Sequence, residues 1–195
     1  MPHIEYHEKS LRACLWAWTA SAFVLLTLAG LARAEKPALT EYQVKAAFLF
    51  NFVKFVEWPA ASFSRADAPL VIGVVGEDPF GEDLDRILRN KFINNRPLKL
   101  KRFPSGQDAT GCQLVFVSRS EKARLAEIVR ALKGSSVLLV SEMEGFLEVG
   151  GMIRFYLDSD NVRFEINPRS VERTGLKMSS KLLGVAKVVS VEANP

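Results

Sequence analysis

The stretch Pro69–Asn90, PLVIGVVGEDPFGEDLDRILRN, holds one complete strand-and-helix unit. Its first part, Pro69–Gly76, is a short aliphatic, β-branched run that ends in glycine and carries no polar side chain to mark a solvated face. A strand of that kind is buried on both sides, as in a parallel sheet, whereas a half-exposed antiparallel strand alternates. Its second part, Asp78–Asn90, opens with acidic residues that suit the positive end of a helix, then places Leu84, Ile87 and Leu88 at helical spacing. Strand, loop and helix in that order build α/β sheets.

Working outward toward the C-terminus, Pro97–Phe103 (PLKLKRF) alternates like a strand with one wet face, and Cys112–Ser118 (CQLVFVS) and Ser136–Ser141 (SVLLVS) read as buried strands. Between these two, Arg119–Gly134 is predicted to be a surface helix capped by Ser120, with Leu125, Ile128, Val129 and Leu132 as its inner stripe and Gly134 at its end. Gly151–Asn167 reads as a hairpin joined by Asp158–Asn161. Pro168 starts a short helix that Gly175 stops, and Met178–Val189 is predicted to close the chain as a helix capped by Ser179. Toward the N-terminus, Thr40 caps a helix reaching about Glu57, and Pro59 enforces its stop. The expected fold is α/β: a mainly parallel central sheet, helices on both faces, and a late β-hairpin at one edge.

Residues 1–34 stand apart. Lys9 and Arg12 precede an apolar run from Ala13 to Leu31, and Ala32-Arg33-Ala34 offers the small-x-small pattern of a signal-peptidase site. The expectation is a cleaved signal peptide, 1–34, followed by a single exported domain, 35–195; an uncleaved anchor is the alternative, since the run approaches the roughly 20 residues that span a bilayer. Cleavage would remove His3, His7 and Cys14. A processed chain without histidine lacks the imidazole on which Ser-His-Asp triads, Cys-His pairs and the common zinc sites depend, so no catalytic residue, metal site or cofactor is expected. The processed chain would keep Cys112 as its one cysteine, placed for burial just before Leu114–Val117, and would hold no internal disulfide. The net charge of +4 is mild. Basic residues are scattered apart from Lys99, Lys101 and Arg102, and nothing interleaves them with aromatics as a nucleic-acid track does.

Five aromatic residues crowd Lys45–Pro59, KAAFLFNFVKFVEWP. On a helical wheel Val44, Phe48, Leu49, Phe52, Val53, Phe55 and Val56 share one apolar arc that only Lys45 interrupts, which is ordinary core packing. Phe50 falls on the polar side near Lys54, with Trp58 close by past the helix end, so Phe50, Lys54 and Trp58 are the candidate partner-contact residues. Gly73, Gly76 and Gly81 around Asp78-Pro79-Phe80 do not have dinucleotide-fingerprint spacing and read as a structural turn, although the loop follows a strand end, where open α/β sheets place ligand crevices. Arg163, Glu165 and Asn167 share one face of a strand. Either that face is simply solvated, or it forms a polar pocket with Ser179, Ser180 and Lys181 beside Trp58 and Pro59, suited to a small ligand or a partner.

The blocks KAAFLFNFVKFVEWP, VIGVVGEDPFG, CQLVFVSRSE, GMIRFYLDSDNVRFEIN and GLKMSSKLLGVAKVV, in this order, resemble the YfiR (HmsC-like) family across roughly Tyr42–Val189. The resemblance implies a periplasmic α/β regulator, not an enzyme, that represses an inner-membrane diguanylate cyclase by binding the cyclase's periplasmic part. Repression would set cyclic-di-GMP level and biofilm formation, with an OmpA-like envelope lipoprotein relieving it. The resemblance also implies disulfide-based redox control, which this cysteine content puts in doubt. A periplasmic small-molecule sensor is the alternative function, and an envelope enzyme the third; a homodimer is left open.

Overall fold

The computed structural model describes residues 39–104 and 109–192. The expected signal peptide and the start of the domain at residue 35 lie outside the described residues. Among those described, no helix is long and apolar enough to cross a membrane.

The described residues open with helix α1, Glu41–Phe55. Thr40 caps it as expected: its hydroxyl accepts the Gln43 N–H while the Gln43 side chain returns to the Thr40 N–H at 3.1 Å. The helix stops at Phe55 rather than near Glu57, because Val56–Glu57 becomes a short strand, β1. Next come β2 (Leu70–Val75), α2 (Glu82–Leu88), β3 (Phe92–Ile93), β4 (Arg96–Phe103) and β5 (Leu114–Val117). They are followed by α3 (Leu125–Ala131), β6 (Leu138–Ser141), β7 (Ile153–Asp158), β8 (Asn161–Ile166), α4 (Pro168–Glu172), β9 (Lys177–Met178), α5 (Ser180–Leu183) and β10 (Lys187–Val188).

The main sheet has eight strands in the order β10-β8-β7-β6-β5-β2-β4-β3. Its inner strands β4, β2, β5, β6 and β7 run parallel, and every residue of β2, β5 and β6 is buried, as their unbroken apolar composition requires. The chain passes from β2 outward to β4, then from β5 outward to β6 in the opposite direction. With right-handed crossovers this puts α2 and α3 on opposite faces. Helix α1 packs beside α2, and its Phe48 and Phe52 meet Phe155 of β7 and Phe164 of β8 with ring centroids 5.0–6.0 Å apart.

The hairpin β7–β8 lies where expected, closed by Ser159 and Asp160, both with positive φ as a two-residue primed turn needs. It is not the sheet's outermost element, because β10 adds parallel to β8. Two helices differ from expectation. Arg119–Arg124 is a 3-10 segment, and the α-helical part begins only at Leu125; Ser120 caps neither, its hydroxyl instead accepting the Glu77 N–H at 2.9 Å. The closing helix lasts one turn: Ser179 caps it as expected, Gly184 ends it, and the β-branched residues beyond turn into β10.

Candidate functional site

Helix α1 runs antiparallel to the parallel strands, so its two ends reach opposite ends of the sheet. At the far end, Trp58 donates its indole N–H to the Gln113 carbonyl at 3.0 Å. The buried Gln113 side chain in turn accepts the Val71 N–H at 2.8 Å and donates to the Ser62 carbonyl at 2.9 Å. Just before Trp58, β1 pairs antiparallel with β9, Val56 against Met178, and the Ser179 N–H reaches the Phe55 carbonyl at 2.9 Å. Trp58 and Pro59 therefore do adjoin the closing segment. Trp58 is nonetheless half-buried and bonded to the sheet, and Phe50 is half-buried against the core rather than standing free on a polar face. Lys54 alone of the three candidate contact residues is exposed.

The polar pocket expected around Arg163 is not assembled. Glu165 is buried, but its partners are Arg154, directly opposite on β7 at 2.7 Å, and Lys187 of β10 at 3.4 Å. Asn167 is fully buried and donates to the Val191 carbonyl at 2.8 Å, while its own amide oxygen finds no acceptor role among the described residues. Arg163 is exposed near the hairpin tip, and Ser180 and Lys181 are exposed on the one-turn helix. The pattern of alternation was correct, but the neighbour across the strand is β10, not the Ser179–Lys181 turn. The turn after β2 is structural, as expected: Gly76 has φ +89, and Arg102 clamps the loop through Asp78 at 2.6 Å and through Asp85. The Arg102 hydrogen bond holds the Asp85 carboxyl below its usual range.

At the carboxyl ends of β5, β6 and β7, where open α/β sheets carry their ligand crevices, lies a cleft of about 450 Å³. Strand β6 stops at Ser141 while β7 continues to Asp158, so the end of β7 is paired only on its β8 side and forms one wall. The floor is ionic. Lys45, 1 % exposed in the middle of the apolar arc of α1, binds both Glu41 and Glu142. Glu142, 6 % exposed, also accepts from Tyr42 at 3.0 Å and from Arg119 Nε at 2.7 Å. Ser141 fixes this corner, donating to the Val117 carbonyl at 2.8 Å and accepting the Met143 N–H at 3.3 Å.

Burial drives the Glu142 carboxyl up, but Lys45, Arg119 and Tyr42 together outweigh it and hold the group below its usual range, so it is a carboxylate at neutral pH. Burial and the adjacent Glu142 charge push the Tyr42 phenol up to about 12, keeping it a donor. The sequence carried one signal for this site: a lysine inside an otherwise apolar helical arc, which must find a buried counter-charge or be excluded from the core.

The cysteine expected in the core is there, with Cys112 3 % exposed. The YfiR/HmsC-like family model matches residues 42–187, from the first turn of α1 to the start of β10. The chain belongs to the YfiR/HmsC-like family. Membership supports a role as a regulator of diguanylate cyclase signalling in general, in a family known as periplasmic and as regulatory rather than catalytic. Apart from Glu41 at the start of α1 and Val188 at the end of β10, every element described above lies within the matched span, so the YfiR/HmsC-like resemblance extends over the sheet, α1 and most of the ionic cleft.

Proposed function

We propose that the protein is exported with loss of residues 1–34, and that its domain, residues 35–195, represses an inner-membrane diguanylate cyclase by binding the cyclase's periplasmic part. Repression lowers cyclic-di-GMP and with it biofilm formation, and an OmpA-like envelope lipoprotein relieves it. The observation that carries this reading is the family match over residues 42–187, which spans the fold rather than a single motif. The proposed contact face is the second half of α1. Phe50 and Lys54 are one helical turn apart and therefore neighbours on its surface, and Trp58 follows at the adjoining end of the sheet. The anchoring of Trp58 to Gln113 supports this assignment, because a contact residue held in one rotamer loses less entropy when a partner docks.

The test is deletion of the gene together with capture of the exported protein's partners from solubilised membranes. Deletion should raise cellular cyclic-di-GMP, capture should recover a diguanylate cyclase, and Lys54→Glu should weaken that capture while leaving the melting temperature within the range of ordinary surface changes, about 0.5 kcal/mol of stability. Unchanged cyclic-di-GMP together with no captured cyclase refutes the reading. Intact mass of the protein recovered from the periplasm decides the export step: a mass that retains residues 1–34 refutes cleavage.

A further inference from the structure

Two arginines in the cleft share an unusual arrangement. Arg119, at the start of the 3-10 segment after β5, is held through its Nε by Glu142 at 2.7 Å. Arg154, on β7, is held through its Nε by Glu165 at 2.7 Å. Both carboxylates are buried, so each guanidinium is pinned from behind, and neither arginine uses its two outer amino groups in any hydrogen bond to a described residue. A third cation, Lys122, lines the same cleft without a salt-bridge partner among the described residues. Arg154 is further steadied by the Tyr156 ring, 5.9 Å from its guanidinium carbon.

A guanidinium offers five donors in a rigid fork, and its outer pair matches the two oxygens of a carboxylate or phosphate. Fixing that fork beforehand removes most of the ordering cost of binding. The cleft volume of about 450 Å³ is that of a metabolite site rather than of a protein-docking face. From these observations we infer that the cleft is a binding site for a small organic dianion, a molecule with a carboxylate group at each end, gripped by the outer forks of Arg119 and Arg154 with Lys122 adding charge. Four cations, Lys45, Arg119, Lys122 and Arg154, line the cleft against three carboxylates, Glu41, Glu142 and Glu144, so it keeps a net positive charge. Glu144, also in the lining, is the one acidic side chain there with no cation on it among the described residues, and it disfavours ligands larger or more highly charged than the two forks can balance.

The site does not depend on the identity of the cyclase partner, and its test uses purified protein recovered from cells producing the full chain. Isothermal titration at constant ionic strength with succinate, malate and glutarate, and with acetate as the singly charged control, should find at least one dianion bound with a Kd of about 1 mM or tighter, and acetate weaker by about tenfold or more. Arg119→Lys keeps the charge but loses the fork, and should weaken the bound dianion about tenfold while its melting curve stays close to the parent's. Lys122→Ala, a surface change, should weaken it by less. Nitrogen-edited NMR supplies a readout that needs no variant: the dianion should shift the signals of Arg119, Lys122 and Arg154 and leave those of Arg163 and Lys181 in place. Failure of all three dianions to bind, equal binding of acetate, an Arg119→Lys variant that binds as the parent does, or shifts centred on Arg163 and Lys181 would each overturn the assignment.

Discussion

Replacing Lys45 by Met separates the charge of this side chain from its bulk. The methionine fills nearly the same space in the apolar arc of α1, so little cavity is made. What is lost is the counter-charge of Glu142, whose side chain is 2 % exposed. Removing one partner of a buried ion pair costs about 3–5 kcal/mol, and the lower end applies because Arg119 and Tyr42 still reach the carboxylate. For a domain of this size each kcal/mol moves the melting temperature by about 2–4 °C, so Lys45→Met should melt about 6–12 °C lower at neutral pH.

The pH dependence gives the sharper result. In the parent protein the folded-state pKa of Glu142 lies below its ordinary 4.5, so its stabilisation is present above that value and is lost as the pH falls through the folded pKa. Without Lys45, burial, already the largest influence, is opposed only by Arg119 and Tyr42 and moves the folded pKa upward relative to the parent's, so the penalty is felt at neutral pH and relieved as the carboxyl takes up a proton. The gap in melting temperature between parent and variant should therefore shrink as pH falls from about 7 toward about 4.5. Thermal melting by circular dichroism across that range is the assay. The double variant Lys45→Met with Glu142→Gln should recover much of the loss, since an apolar or neutral replacement of a buried pair is often tolerated. A variant that melts within about 2 °C of the parent, or a gap that does not change with pH, refutes the claim that the cleft floor is a buried ion pair.

Three further outcomes follow from the packing. Phe52 is fully buried among Phe48, Phe155 and Phe164, so Phe52→Ala should cost about 3–5 kcal/mol by denaturant titration, whereas half-buried Phe50→Ala should cost clearly less; equal losses would place Phe50 in the core. Gly76 has φ +89, and a Cβ there would lie 2.4 Å from Ser120 Oγ, so Gly76→Ala should destabilise by more than about 1 kcal/mol, and an unchanged midpoint would show that the β2 loop adapts freely. Cys112→Ala should cost about 1 kcal/mol, and reductant should leave the melting temperature of the parent unchanged; a fold that collapses under reductant contradicts the buried-thiol reading.

The buried strands β2, β5 and β6 were legible because composition alone sets them. A run such as Leu70–Val75 has no side chain that tolerates water, so it must be covered on both faces, and a covered parallel sheet follows. Thr40 and the Ser159-Asp160 turn were equally local, each decided by residues within one turn of the chain. The misread elements are those whose state depends on remote partners. Val185–Val189 continues a helical pattern by spacing, but β8 offers an open edge there and β-branched residues take it. Ser120 has the form of a helix cap, yet the Glu77 amide, just past the end of the neighbouring strand β2, claims its hydroxyl. The ionic cleft was invisible for the same reason. Lys45 was noticed as a break in the apolar arc, but its counter-charge Glu142 lies 97 residues further on, and no local pattern joins them. Glu165 was placed on the correct strand face with the wrong companions, because alternation reports a face and says nothing of which strand lies beside it.

The short β1–β9 ribbon has a consequence for the order in which the molecule assembles. Val56 and Met178 are about 120 residues apart in the chain, so pairing them closes a loop whose entropy must be met by contacts made elsewhere first. The other end of α1 is fastened by Glu142, 97 residues beyond Lys45. A polypeptide that emerges N-terminus first therefore presents α1 early, with its phenylalanine face uncovered, and must wait for β6, the hairpin and the β9 segment before that face can dock. The sheet centred on β2 and β5 can form in the meantime from nearer contacts. Among the described helices the first to be made is held only once the β9 segment is available, and a chain shortened before Lys177 would leave it without its clasp.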